Sequence, residues 1–468
     1  MSSQYETRAS LGRDIFGAAD LGDRRRTTRL VRSFDLMCRH PGGTLPDKLA
    51  SPKDLRGLYH LCESDEVTHE ALIDPARAHT VVQIAACPQD VLILHDATEL
   101  DSTTLTSRTG DLGQIGKGNR RGYLCHNVLA VAADSAEVLG LMDQLLHRRD
   151  EVPEDETLPE HRDRPTRESL LWVRGTRHLP ADARRIDVAD QGADTFEFLE
   201  HESHSGRRFV IRAAKGRKVY AGHEPVGPRR ELKDYARGLP ELGRFTMDVQ
   251  AQPGRKARTA AEFVVRGGPL LVDPPHAKAG HHGDDPLPLY VVQVTEVAPP
   301  RGEAAIDWTL LTNERVETFD DAWRVIGWYE RRWVVEEYHK AQKTGCRIED
   351  MQFTTTARLG PAIALLSVVA VTLLNLREAS RRDDARTRRA DTLLSTEYVE
   401  VLSLKRYGEV RVDLTVHEFF LALARLGGHQ NRKCDGHPGW LVLWRGWMKL
   451  QAMLDGYLAA QREICGKT

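Results

Sequence analysis

The stretch Val91-Leu92-Ile93-Leu94-His95-Asp96, followed by the polar run Ala97 to Thr104, marks a change from helical to strand-like patterning. A short apolar run closing on a carboxylate reads as a buried strand with Asp96 at its exit, where α/β folds often place a ligand site. Taken alone, a turn capped by Asp96 explains the same residues. Downstream, His126 to Ala133 and Glu137 to Leu145 read as two more strands, joined by a turn at Asp134-Ser135. Their close spacing predicts an antiparallel meander. A helix is expected at about 166–177. Arg185 to Asp190 is then a second apolar run ending in aspartate, followed by a helical segment over 192–199. In one sheet the two aspartate-bearing strand exits can be adjacent.

Outward from these strands the pattern is helical on both sides. Asp23 can cap RRRTTRLVRSFDLM, with Leu30, Phe34 and Met37 at helical spacing. Arg24, Arg25, Arg26, Arg29 and Arg32 mostly fall on its other faces, as a solvated surface or a phosphate-binding one. Candidate strands at 209–212, 245–251, 261–265, 289–297 and 308–311 make residues 209–312 β-rich. The loop 274–286 holds His276, His281, His282, Asp284 and Asp285, but without a periodic scaffold it reads as a polar loop rather than a metal site. Helices are expected at 320–345 and 358–380, then an exposed Arg/Asp-rich linker, then a helical 391–465. There Trp440, Trp444, Trp447, Leu450, Leu454, Tyr457 and Leu458 form an apolar stripe suited to core packing or to an oligomer interface.

With 468 residues, 41% hydrophobic and 29% charged, the chain suits a folded protein of two or three domains. The net charge of -2 hides four basic clusters, which keep a polyanion partner open. Seven scattered cysteines without a C-x-x-C pair argue for a reducing cytosol and against a thiolate zinc site. MSSQYETRAS has no apolar signal core, and the uncharged run Pro361 to Leu376, 16 residues, is short for a bilayer span. A cytoplasmic protein without a membrane partner is expected.

Tyr329 to Lys343, YERRWVVEEYHKAQK, supplies the third carboxylate. On a regular helix Tyr329, Arg332, Glu336 and Lys343 share a face, because spacings of 3, 4 and 7 are near-whole turns. Asp96, Asp190 and Glu336 form the natural acidic set. Three such groups repel unless cations neutralise them, which hard-oxygen binding of magnesium or manganese does. Two such ions serve in-line attack at phosphorus, with Arg332 and Lys343 gripping phosphates. Glycoside hydrolysis, the other use of paired carboxylates, calls for an aromatic cleft and leaves the arginines unexplained.

Tyr329-x2-Arg332-x3-Glu336-x6-Lys343 resembles the YREK signature of bacterial cut-and-paste DDE transposases, in particular the insertion-sequence-four group of the transposon-five type. LGDRRRTTRL, VADQGAD around Asp190, Trp308 to Thr312, EEYHKAQKTG and LDGYLAA extend the resemblance over nearly the full length. It implies an α/β fold: a ribonuclease H-like mixed-sheet core over 76–380 with a β-rich insertion at about 213–307. A helical DNA-binding domain over 1–75 and a helical dimerisation domain over 381–468 would flank it. It further implies two magnesium ions per site (manganese substituting) on Asp96, Asp190 and Glu336, and a homodimer joined to double-stranded DNA ends and target. The activity implied is nicking, hairpin formation, hairpin opening and strand transfer. Trp308 and Trp333 would then stack the flipped base. Tyr329, Arg332 and Lys343, with Lys340 nearby, would hold phosphates, and Arg212, Arg25, Arg26 and Arg29 would grip the end sequence. A DNA-binding regulator that keeps the fold without turnover is the alternative.

Overall fold

The computed structural model describes residues 10–40, 43–49, 51–105, 112–150, 155–179, 182, 184–251, 255–275, 281–353, 355–432 and 437–465. A mixed sheet of 12 strands organises the fold. Its centre is β1 (Val91–Asp101), antiparallel to β3 (Arg121–Ala132), which carries β4 (Val138–His147) along its far side and the short β2 (Gly113–Gln114) at one end. On the other side of β1 lie β5 (Arg185–Ala189) and β6 (Arg208–Arg212), both parallel. The helix Phe196–His204 forms the crossover between them.

The chain between β6 and the next long helix does not leave the sheet. β7 (Lys218–Ala221), β8 (Arg230–Glu231), β9 (Glu241–Val249), β10 (Arg258–Val272), β11 (Leu287–Glu296) and β12 (Asp307–Thr312) continue it through β12, which pairs with β6. The segment expected as a β-rich insertion is therefore continuous with the rest of the sheet by hydrogen bonding. Successive side chains of a strand face opposite sides. Leu92 and Leu94 join the larger core, with Leu129 and Val131, while Ile93 joins Val128 and Ala130 in a smaller one behind.

The larger core is built around the helix Thr356–Ala379. Its most apolar 18-residue window has a mean hydropathy of 2.1, long and apolar enough to cross a membrane, yet 83% of that window is buried inside the fold. It is the central core helix. The N-terminal helices Leu11–Phe16, Arg24–Arg39, Leu45–Leu49, Pro52–Cys62 and His69–Ala86 feed Phe16, Leu30, Phe34 and Leu58 into the same core. Asp23 caps the arginine-rich helix, its side chain accepting from the Arg25 N–H.

The C-terminal helices Thr396–Tyr407, Val416–Leu426 and Trp440–Cys465 enclose a core of their own. Trp447, Leu450 and Leu454 are buried in it, and Trp444 packs against the larger core, so packing within one chain accounts for most of the apolar stripe. The segment expected as an exposed linker folds into two short 3-10 turns that bury Ala385 and Ala390.

Candidate active site

β1 runs to Asp101, so Asp96 sits within the strand rather than at its exit. The extension exists because β3 keeps pairing as far as Gly122, opposite Asp101. Parallel register sets His95 opposite Ala189, so the next residue of each strand, Asp96 and Asp190, come abreast. Asp190 follows β5 directly and accepts from the Gly192 N–H at 2.8 Å, capping a 3-10 turn.

The long helix expected at 320–345 is broken. Phe319–Arg331 and Trp333–Lys340 meet at Arg332, and Ala341–Gly345 then winds as a π-turn, a distortion frequent at functional sites. Buried polar contacts anchor this end: Gln342 donates to Ser367 Oγ at 2.9 Å and Tyr338 Oη donates to the Ser367 carbonyl at 3.0 Å. Consequently only part of the expected shared face survives. Arg332 and Glu336 meet at 2.6 Å, and Arg332 lies over the Tyr329 ring. Lys343, on the π-turn, pairs instead with Glu349 at 3.7 Å, and Glu349 also accepts from the Asp101 N–H.

Arg332 is the hinge of the site. Its guanidinium reaches Asp96 at 3.2 Å as well as Glu336, bridging strand and helix. Burial pushes the Asp96 carboxyl up to about 7, the neighbouring Asp190 charge adds to the rise, and Arg332 opposes it. Like charges 4 Å apart would repel by about 4 kcal/mol at an effective dielectric of 20, and the Arg332 guanidinium stands between Asp96 and Glu336. Burial disfavours the Arg332 charge, yet the hydrogen bond to Glu336 and the Tyr329 and Asp96 groups hold its pKa above the usual arginine value.

Among the described residues no three His, Cys, Asp or Glu side chains stand close enough to hold one ion. Arg332 fills the gap between two of the three carboxylates. The donor set nevertheless fits a hard divalent cation, since it offers only carboxylate oxygens and includes a buried acid whose ionisation is already costly.

The aromatic residues flank this point. Trp308, on β12, meets Tyr329 edge-to-face at 5.5 Å, and Arg212 interacts with the Tyr329 side chain from β6. Trp333 is 49% exposed, and Lys340 lies over its ring at 5.6 Å. The N-terminal arginines divide. Arg25 projects into solvent beside Asp23, while Arg26 donates to the Leu21 carbonyl and Arg29 to the Gly57 carbonyl. Those two guanidiniums help hold their own domain together. Arg32 pairs with Asp54. In the loop 274–286, His276 lies outside the described residues; His281 pairs with Asp163 at 3.1 Å and His282 packs on Phe196.

Three residues escaped the sequence reading. Glu337 follows Glu336 but turns inward, to Arg377 on the central helix at 2.6 Å. The doubled glutamate, with Lys340 three residues on, was the available signal; Arg377 had none. Glu349 was equally silent.

Residues 10–67 match the family model described as transposase DNA-binding. They cover the helices from Leu11–Phe16 to Pro52–Cys62, including the arginine-rich helix. The match supports a DNA-binding transposase with double-stranded DNA as its partner. The mixed sheet with flanking helices is compatible with a ribonuclease H-like core.

Proposed function

We propose that this chain is a metal-dependent DDE transposase of the insertion-sequence-four type, cutting and joining DNA at Asp96, Asp190 and Glu336. One observation carries the reading: parallel strand register brings the two aspartates abreast, and Arg332 ties Glu336 to the same place. The core around them is read as ribonuclease H-like. Asp96, Asp190 and Glu336 would hold two magnesium ions, or manganese in their place, which supply Lewis-acid charge for displacement at phosphorus.

The chain's own residues do the positioning. Arg332, released from its carboxylates by a competing phosphate, would grip the strand, because a guanidinium binds phosphate in a planar fork. Lys343 on the π-turn and Lys340 beside Trp333 would add point charges nearby, and Arg212 on β6 would add another next to Tyr329. Trp333, half-exposed beside Lys340, and Trp308, against Tyr329, offer stacking surfaces for a base taken from the duplex, which costs a few kcal/mol. Arg25 projects where a backbone phosphate could meet it. Four displacements follow one pattern: an oxygen nucleophile bonds to phosphorus as the bond to a 3′ oxygen breaks. Water is the nucleophile in nicking and hairpin opening. The freed 3′-hydroxyl is the nucleophile in hairpin formation and in joining to target. A homodimer would pair two ends, and the cytosol is the expected compartment.

The test uses a supercoiled donor plasmid carrying the inverted repeats that flank the coding region, with magnesium. Wild-type protein should nick and excise; Glu336→Ala should bind ends and leave them intact. Cleavage surviving in Glu336→Ala would sink the assignment. End binding without cleavage by wild type would favour the regulator.

A further inference from the structure

Glu336 and Glu337 adjoin in the short helix Trp333–Lys340 and face opposite ways. The Glu337 carboxylate is buried. One oxygen receives Arg377 Nη1 at 2.6 Å and the other receives Lys340 Nζ at 2.8 Å. Arg377, 5% exposed, stands in the last turn of the central helix Thr356–Ala379. Its guanidinium also meets Glu378 at 3.2 Å and lies over the ring of Trp440 at 5.1 Å. Trp440 opens the C-terminal helix. Its indole N–H makes no close hydrogen bond, though it lends Glu337 electrostatic support. One side chain thus links the central helix, the C-terminal domain and the helix of the third carboxylate.

Packing alone does not demand this arrangement. The helix Trp333–Lys340 is barely two turns long, too short to be stable by itself, and a kink at Arg332 and a π-turn bound it. Val335 and Tyr338 anchor it in the core, and the Tyr338 hydroxyl also donates to the Ser367 carbonyl at 3.0 Å. The Glu337–Arg377 ion pair adds a further directional contact, to the central helix. A buried pair of this kind is weak evidence of stability, because apolar replacements are often as stable. What it supplies is one geometry.

We propose that Glu337 and Arg377 are positioning residues that lock the rotation of the helix Trp333–Lys340, aiming Glu336 at Asp96 and Asp190 on one face and Lys340 at Trp333 on its outer side. Trp440 makes this lock answer to the C-terminal domain. The inference rests on the proposed active site for its catalytic consequence, while the locking itself is measurable without catalysis.

The test compares full-length wild type with Arg377→Met and with the double variant Glu337→Gln/Arg377→Met, which leaves no unpaired buried charge. Hydrogen exchange in the DNA-free protein should quicken at the amides of Trp333 to Lys340 in both variants, with the central helix unchanged. Single-turnover nicking of a pre-bound end should slow by about a hundredfold, the usual effect of an ångström-scale misplacement. End affinity should stay within about threefold, a shift of under 1 kcal/mol. Unchanged exchange in Trp333 to Lys340 would overturn the proposal whatever the activity, and so would wild-type nicking by the double variant. Faster exchange in a protein whose wild type never cleaves would leave the lock standing and remove the active-site reading instead.

Discussion

His95 and Asp96 adjoin in β1 and face opposite sides of the sheet. On the back, His95 Nε2 meets Asp187 Oδ1 at 2.7 Å, His126 is fully buried with neither ring nitrogen bonded, and Glu202 is buried with neither carboxyl oxygen bonded in the standard geometry. Burial, with Asp187 adding to it, pushes the Glu202 carboxyl well above the usual range, and burial holds His126 well below. On the front, Asp96 is also raised, with Arg332 bridging it to Glu336 and Asp190 close by. Both faces hold desolvated acids. The back is sealed and favours the neutral forms of Glu202 and His126; the front holds the Arg332 guanidinium between Asp96 and Glu336.

The largest effect should come from the front. Asp96→Asn or Glu336→Gln should bring nicking below detection while end binding persists, whereas Glu202→Gln on the back should still nick. Loss of cleavage in Glu202→Gln without unfolding would erase the contrast.

The faces should also differ in stability. Glu202, with its folded pKa raised above the ordinary 4.5, contributes stability that is complete below that value and is lost as pH rises through the folded pKa. Glu202→Gln should therefore stabilise the protein at pH 8, by about 1–3 kcal/mol on the scale of an unsatisfied buried polar group. Urea melts at pH 5 and pH 8 check the sign. A variant less stable than wild type at pH 8 would mean that the carboxylate is satisfied there.

With Asp96 raised to about 7, protons compete with a cation below that pH. Manganese affinity, read by electron paramagnetic resonance, should fall by about tenfold per pH unit there. Arg332→Ala should tighten manganese binding to the DNA-free protein by roughly tenfold, the equivalent of about one pKa unit of competing charge. Flat affinity in both experiments would separate Asp96 from the metal. Smallest is Arg25→Ala, which should lower the salt slope of end binding by about 1.

Much of this was legible in sequence. Asp96 and Asp190 end apolar runs, and the strand order could be read because each run is short, β-branched and bounded by turn residues. The helix-spaced stripe of Leu30, Phe34 and Met37 is buried as its period requires. Less legible were places where a distant backbone chooses. β1 outruns its apolar run because β3 offers hydrogen-bonding partners beyond it. The arginine cluster reads as one surface, yet Arg26 and Arg29 find carbonyls of Leu21 and Gly57.

Local pattern thus determined which residues form helices and strands and which faces are apolar, and it singled out three carboxylates as candidates. It could do so because side-chain period and burial are properties of neighbours in the chain. Only the tertiary structure decided that the register of β1 and β5 aligns two aspartates, that the helix breaks at Arg332, and that this arginine bridges Asp96 and Glu336. It likewise turned Glu337 inward to Arg377. Those outcomes depend on groups far apart in sequence competing for the same charge and the same hydrogen bonds.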